Sequence, residues 1–391
     1  MMRCMRLAFV HDWLYYMAWA EQVFLEMIHD NLNKYPGNHY KIFTLFSDKT
    51  SLTIDGNHIS IVTALPRWLF QLFVRSDRTK IPWLSKLFDY RNLMFWYPLL
   101  IRILRFKLRL YQYDHLFISS FAVAKNIVSS SWWCTSHTVH LHAQSPFMYI
   151  HNHFRSNLSK LVFPIKQLYQ IAYRYLKPWD IKPRIYHTIT ANSYYTAWLM
   201  KRIYHIDSDS VVYPRLQSEF LTYPILSPRS DAEYDIFVGR LVCFSKHVDI
   251  LIQAYNKLEK KLMIIWSWPD EQYLKSLAWP TITFLGRVSD VHTRCELISK
   301  ARFLVNITLE SFGYVTAEAL CLWTPVIGFD QWATPELVRP TMGEWVLIAK
   351  QDVDTLVTTI KKAWPIHRDR HLISSQARSR FVSTTLTWSV K

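Results

Sequence analysis

The chain has 391 residues, 50% hydrophobic and 19% charged, a length that suits two domains of ordinary size. The apolar fraction excludes a largely disordered chain. A formal charge of +16, from 46 Lys and Arg against 30 Asp and Glu, favours anionic partners such as nucleic acid, anionic lipid or phosphorylated ligands.

The opening MMRCMRLAFVHDW enters a strand-like run at 7–10 and then His11-Asp12. It lacks the apolar stretch and small-residue cleavage site of an export signal. No run of about 20 apolar residues reads as a membrane span. Five Cys, at 4, 134, 243, 295 and 321, form no CxxC pair and fit a reducing compartment. The expected location is therefore cytoplasmic, peripheral on the inner face of the membrane at most.

Short β-rich runs follow at 41–46, 59–65, 114–119, 138–142 and 186–190. A second series lies at 235–239, 262–266, 282–285, 303–306, 325–328 and 346–349, with helix-like stretches between most runs. This alternation predicts an α/β chain with two open, mostly parallel sheets. The break is placed at 221–231, which carries Pro224 and Pro228 among polar spacers. The expected domains are 1–220 and 221–371, with 372–391 as a separate tail.

Between 66 and 110 there are ten Lys or Arg and two Asp, interleaved with Trp68, Phe70, Phe73, Trp83, Phe88, Phe95 and Trp96. Arg102, Arg105 and Arg109 recur three to four apart and share a helix face. One reading is a basic amphipathic surface on an anionic membrane. The other is a solvated face that only packs on its domain. Nucleic-acid binding is disfavoured, because the aromatics sit with aliphatics at core-like spacing.

The most informative segment is 309–320, LESFGYVTAEAL, after the buried-looking strand 303–306. Glu310 falls in the loop and Glu318 in the second turn of the next helix. Both carboxylates lie at the carboxyl edge of a parallel sheet, where ligands of such sheets bind. The N–H groups of Gly313, Tyr314 and Val315 at the helix start suit a phosphate. Carboxylates beside phosphates make sense as acceptors of sugar and ribose hydroxyls. A second segment, FVGRLVCFSK, places Gly239 and Arg240 at a strand end and Lys246 at the next helix, positive charge that can neutralise a diphosphate without a metal.

ESFGYVTAE, with VGRL-x4-K upstream and TPVIGFD-x3-TPELV downstream, resembles the retaining glycosyltransferase family 4 of the GT-B fold. VHDW followed by AWAE, with SSF-x2-AK, QSPFMYI and ANSYYTAW in order, resembles a bacterial subgroup of O-antigen and exopolysaccharide mannosyltransferases. The resemblance implies a GT-B fold, two Rossmann-like domains with parallel sheets facing across a cleft. It implies that Glu318 bonds the donor ribose and Glu310 the donor hexose. Arg240 and Lys246 would hold the diphosphate, with Phe312, Gly313, Tyr314, Val315 and Gly239 around the donor and Arg287 and Val288 at the base. It places Asp12 and the loop bearing Trp19 at the cleft, Trp266 on the donor side, and the tail from 372 back on the first domain.

Tryptophan repeatedly stands where the resemblance implies glycine: Trp19, Trp266, Trp268, Trp323 and Trp332, with Trp198, Trp279 and Trp345 similar. The chain has 7 Gly beside 17 Trp, where roughly 27 Gly would be usual. Gly allows positive φ and close approach to a ligand, which an indole opposes. The favoured reading is glycine encoded by UGA. The alternatives are decay into an inactive paralogue, or tryptophan with another role.

Weaker signals receive plainer readings. Asp207-Ser-Asp209 and Asp352-Val-Asp354 match a metal-binding Asp-x-Asp only by common chance. His137, His140, His142, His151 and His153 resemble a metal cluster superficially. His142 or Gln144, near a position where relatives have His, is expected to touch donor or acceptor, or else to be a polar strand end satisfied by backbone. The expectation is a retaining, metal-independent transfer of a hexose, GDP-mannose as first choice of donor, to a glycan or lipid-linked acceptor. No cofactor and no nucleic acid are expected. The alternative is a catalytically silent GT-B scaffold that binds a partner or a membrane.

Overall fold

The structure is a computed structural model that describes residues 4–15, 17–75, 90–128, 138–151, 165–224, 234–241, 246–265, 270–340, 345–363 and 370–382. The chain divides into two units, the first ending at Val212 and the second starting at Tyr213.

The first unit holds β1 (Arg6–His11), α1 (Trp19–Lys34), β2 (His39–Thr44), β3 (Ser51–Ile54), β4 (Asn57–Thr63), α2 (Arg67–Arg75), α3 (Tyr97–Tyr111), β5 (His115–Ser120), β6 (Thr138–Ala143), α4 (Ile165–Asp180), β7 (Thr188–Ala191), α5 (Tyr194–Tyr204) and β8 (Ser210–Val211). Its sheet runs β3-β4-β2-β1-β5-β6-β7-β8. All pairs are parallel except β3–β4, a hairpin closed by Asp55-Gly56, both at positive φ. Central β5 is buried along its whole length, as expected of a strand covered on both faces.

The second unit holds α6 (Ser218–Thr222), β9 (Asp235–Val238), α7 (Val248–Leu258), β10 (Leu262–Ile265), α8 (Glu271–Leu277), β11 (Ile282–Gly286), α9 (Val291–Lys300), β12 (Leu304–Asn306), α10 (Tyr314–Cys321), β13 (Val326–Phe329), α11 (Thr334–Leu337), β14 (Trp345–Ile348), α12 (Val353–Ala363) and α13 (Arg370–Val382). The order β11-β10-β9-β12-β13-β14, parallel throughout, reverses between β9 and β12. That reversal opens a crevice at the carboxyl ends of those two strands. At the other end of β9, buried Asp235 accepts from Tyr255 Oη at 2.5 Å and from Arg302 at 3.0 and 2.6 Å, fastening the sheet base.

Two expectations about boundaries change. α6, before the expected linker, belongs with the second unit, because Phe220 is buried in that unit's core. α13, expected within a tail on the first domain, packs on the second unit. Arg378 donates to the carbonyls of Cys321 and Tyr223 at 3.0 and 2.7 Å, and Phe381 is buried with Phe312 and Tyr213. The rest of the tail, 383–391, lies outside the described residues, as do most of the linker and 76–89 of the basic segment. No helix among the described residues is long and apolar enough to cross a membrane.

Candidate active site

β12 ends at Asn306, and the polar residues beyond it build the site. Asn306 Nδ2 donates to Thr316 Oγ1 at 2.9 Å, and Thr308 Oγ1 donates to Asn306 Oδ1 at 2.6 Å. These bonds tie the strand end to the first turn of α10 and fix the intervening loop. Gly313 caps the helix at φ +100, a conformation that favours glycine. A Cβ there would lie 3.3 Å from Glu310 Oε2 and 3.3 Å from Leu337 Cδ1. The helix therefore starts with Tyr314, Val315 and Thr316, whose N–H groups have no acceptor within the helix. Positive dipole and N–H groups without an intrahelical acceptor coincide there.

Glu310 pairs with Lys246 across the switch point. Burial favours the neutral carboxyl, but the Lys246 charge and hydrogen bonds from Lys246, Thr308 and Asn306 outweigh it and hold the pKa below the usual value. Arg240 is exposed one residue past Gly239, at the end of β9. The structure thus brings Glu310, Lys246, Gly313 and the start of α10 to one sheet edge, with Arg240 at the end of the adjacent strand.

Glu318 lies one turn into α10 and is fully buried. Neither carboxylate oxygen has a hydrogen-bond donor among the described residues. Its nearest cation is Arg294 of α9, at 3.8 Å. Arg294 itself donates to Gln217 at 3.0 Å and lies over the Phe220 ring. Burial pushes the Glu318 pKa up to about 8, Arg294 opposing and Glu310 adding to the rise. A buried carboxyl without donors is costly to the fold. Its two oxygens are acceptors that no described side chain fills. The sequence gives no sign of Arg294, nor of Asn306, Thr308 and Thr316; their only trace is a short polar run, N-x-T, after an apolar strand.

The remaining expected donor-side residues fall as follows. Phe312 is a core side chain, packed on Phe381 and Tyr213, so only its backbone reaches the site edge. Tyr314 is half-buried, edge-on to Phe312, and Val315 is buried. Arg287 is exposed and Val288 half-buried on the loop after β11. Trp19 starts α1 in the first unit, and Trp266 and Trp268 lie outside the described residues.

The first unit gathers a different set at its own carboxyl edge. Asp12 is no free ligand. Its oxygens accept from the N–H groups of Phe121, Ala122, Val123 and Ala124 at 2.7, 3.1, 2.5 and 2.6 Å, which holds the loop after β5. Gln144 Nε2 donates to Ser119 Oγ at 2.6 Å and to the Ala20 carbonyl at 2.9 Å, joining α1 to the strand ends. His142 shares a hydrogen bond with Thr190 at 2.9 Å through Nδ1, while its buried Nε2 has no partner among the described residues. Burial pulls the His142 pKa down to about 4, so the ring is neutral at pH 7. Unanticipated by the sequence is a buried network in which Asp180 accepts from Lys125, Asn126, His151 and Tyr204 at 2.9, 2.8, 2.9 and 2.6 Å.

The Asp-x-Asp pairs have ordinary work. Asp209 accepts from the Ile189 N–H, Asp207 pairs with Lys201, Asp352 caps α12 through Thr355, and Asp354 pairs with Lys257. His140 stacks on Phe117, and His137 and His153 lie outside the described residues. Among the described residues no three His, Cys, Asp or Glu side chains are placed to hold a metal.

Residues 234–364 match the family described as Glycosyl transferases group 1. A search of curated proteins gives no match. Three solved structures are similar over nearly the whole chain. Sucrose-phosphate synthase from Thermosynechococcus elongatus has a TM-score of 0.67 at 15% identity, covering 97% of this chain and 94% of that one. Anabaena HepE in complex with UDP and glucose has 0.62 at 14%, covering 97% and 95%. WaaG, a glycosyltransferase of lipopolysaccharide biosynthesis, has 0.62 at 12%, covering 97% and 95%. The chain has the GT-B fold of two parallel-sheet α/β units, and the match to glycosyl transferases group 1 falls within its second unit.

Proposed function

We propose that the chain transfers a hexose from a nucleoside diphosphate sugar to a glycan or lipid-linked acceptor, with retention of configuration and without a metal. The observation that carries this reading is Glu318, a buried carboxyl without hydrogen-bond donors among the described residues, one turn behind the glycine-capped start of α10. Two ribose hydroxyls would satisfy its oxygens. The diphosphate would take the N–H groups at the start of α10 together with Arg240 and Lys246. Glu310 would accept from hexose hydroxyls and fix the anomeric carbon.

In the reaction the C1–O bond to the diphosphate breaks, and a C1–O bond to the acceptor forms on the same face. The acceptor proton passes to the departing phosphate oxygen, so no side-chain base is needed. Arg240 and Lys246 neutralise the charge that develops there. His142 and Gln144 are the first-unit candidates for acceptor contact. Mannose from GDP-mannose is the first choice, on the sequence resemblance. The UDP complex of HepE supports a nucleoside diphosphate in this fold and makes UDP-sugars the second choice. The silent-scaffold alternative is disfavoured, because the charged set at the switch point is complete.

The test is nucleotide release from GDP-, UDP- and ADP-sugars in the presence of an acceptor-bearing membrane extract. One nucleotide sugar is expected to turn over, its product carrying the anomeric configuration of the donor. Glu310→Gln is expected to lower kcat by roughly 10²-fold or more. An inverted product, or turnover unchanged in Glu310→Gln, contradicts the assignment.

A further inference from the structure

We infer that α3 of the first unit docks flat on a bilayer carrying anionic lipid, a surface separate from the site above and independent of the function proposed for it. α3 is apolar on two opposite sides. Leu100, Ile101, Leu104 and Leu108 are buried against the first sheet. On the far side Leu99, Phe106 and Leu110 recur at i, i+7 and i+11, a single stripe along the helix, with half-buried Ile103 at its edge packed on the core. Leu99, Phe106 and Leu110 are 47%, 63% and 69% exposed. A surface helix ordinarily turns polar residues to water. Trp96 at the start of α3 and Trp68 on α2 are also exposed.

Charge selects the occupant. Arg102 and Arg109, both exposed, border the stripe. Arg105 turns inward and donates to the carbonyls of Ile127 and Asn126 at 2.7 and 2.9 Å. Burial, with Arg184, Arg109 and Arg102 adding to it, lowers the Arg105 pKa to about 10, and the arginine share reports a positive local field. No Asp or Glu occurs among the described residues from 64 to 113. A second copy of the same face would set arginine against arginine. A nucleic acid would meet an apolar stripe at the centre of the contact. An anionic bilayer satisfies both features, with the stripe at the acyl boundary and the guanidinium groups at the lipid phosphates. The helix is about 22 Å long, which suits lying in the interface rather than spanning.

The experiment is co-sedimentation of the full chain with phosphatidylcholine vesicles, with and without phosphatidylglycerol. Binding to the anionic vesicles only is expected. Arg102→Gln with Arg109→Gln is expected to weaken it about thirtyfold, and Phe106→Ser with Leu110→Ser to abolish it. Both pairs change exposed side chains, and an unchanged thermal melt verifies that each variant is folded. Equal binding to neutral vesicles, or anionic binding unchanged in both variants, overturns the inference. So does a dimer that Phe106→Ser dissociates, or duplex DNA binding in the absence of vesicle binding.

A different observation assigns glycine to positions 323 and 332. α10 ends in a Schellman turn: Thr324 N–H bonds the Ala319 carbonyl at 2.9 Å and Trp323 N–H the Leu320 carbonyl at 3.1 Å. Trp323 occupies the left-handed position of that turn, at φ +69, where glycine is the usual residue. Trp332, in the loop whose Ala333 N–H bonds the Glu310 carbonyl, sits at φ +63. Among the described residues the other non-glycine positions at positive φ are Asp55, Gln112, His205, His247 and Glu259, polar residues in turns and helix caps. Bulky indoles at such positions, in a chain with 7 Gly and 17 Trp, point to UGA codons read as glycine in the source organism. Trp19 and Trp198 are helical, so backbone geometry makes no such demand of them. Trypsin does not cut before Pro340, so it releases 303–350 as one peptide that spans both positions. From the source organism, fragment ions of that peptide should place glycine at 323 and at 332, with UGA at both codons. The tryptophan mass, or UGG codons, overturns the assignment.

Discussion

Glu318 sets two opposed pH dependences, one for the fold and one for the ligand. Its folded pKa is about 8, above the ordinary carboxyl value of 4.5. The folded state therefore keeps a proton that the unfolded chain releases, and stability from this group falls as pH rises from 4.5 to about 8. Glu318→Gln removes that slope. The variant should gain stability over the parent across that window, with the difference growing toward pH 8, as paired thermal melts would show. Ribose hydroxyls stabilise the ionised form, so ligand binding expels the proton. Nucleotide affinity should therefore rise with pH up to about 8 and then level off. A pH-independent affinity in the parent would contradict the role of Glu318. Asp12 has the opposite character, a carboxylate whose acceptors are all in use. Asp12→Ala should cost on the order of 3 kcal/mol of stability, because four buried N–H groups lose their partner. Denaturant unfolding measures it, and a change below about 0.5 kcal/mol would contradict the loop-holding role.

At the scale of elements, β12, its loop and α10 act as one part. Gly313 is the joint, since its positive φ turns the chain from strand to helix while leaving room for Glu310 Oε2. Gly313→Ala should destabilise by about 1–2 kcal/mol and weaken nucleotide binding by displacing Glu310. A melt together with a binding titration checks both, and unchanged affinity in a destabilised protein would separate the joint from the site. This element was legible in the sequence, because strand, loop, glycine and helix are contiguous and the carboxylates fall at readable positions. Its supports were not. Arg294 reaches Glu318 from a different helix, and Asp12 meets its N–H donors more than a hundred residues along the chain. Pattern within a window carries no such pairing. The short strand β3 was missed because its four residues give only two apolar positions and none of them is buried. α13 was assigned to the first unit on the resemblance alone, and its described contacts, from Ala377, Arg378, Arg380 and Phe381, form no continuous apolar face that sequence would reveal.

At the scale of the molecule, each unit is an open parallel sheet that places its polar side chains at the carboxyl ends of central strands. In the second unit the order reverses between β9 and β12, and those strands end at Arg240 and at the Glu310 loop. In the first, His142 and Gln144 lie at the end of β6, beside β5 near the sheet centre. The fold explains why charge concentrates at these edges. Elsewhere the strands are covered on both faces, and an unpaired charge there would be expensive. The central claim is that the β12–α10 edge holds a nucleoside diphosphate through Glu318. Calorimetric titration of GDP and UDP into the parent and into Glu318→Gln, which keeps the shape and removes the ionisable group, tests it most directly. Saturable binding to the parent, accompanied by proton release, and at least about tenfold weaker in the variant, is the predicted result. Equal affinity in the two proteins, or no binding of either nucleotide to a folded parent, would contradict it.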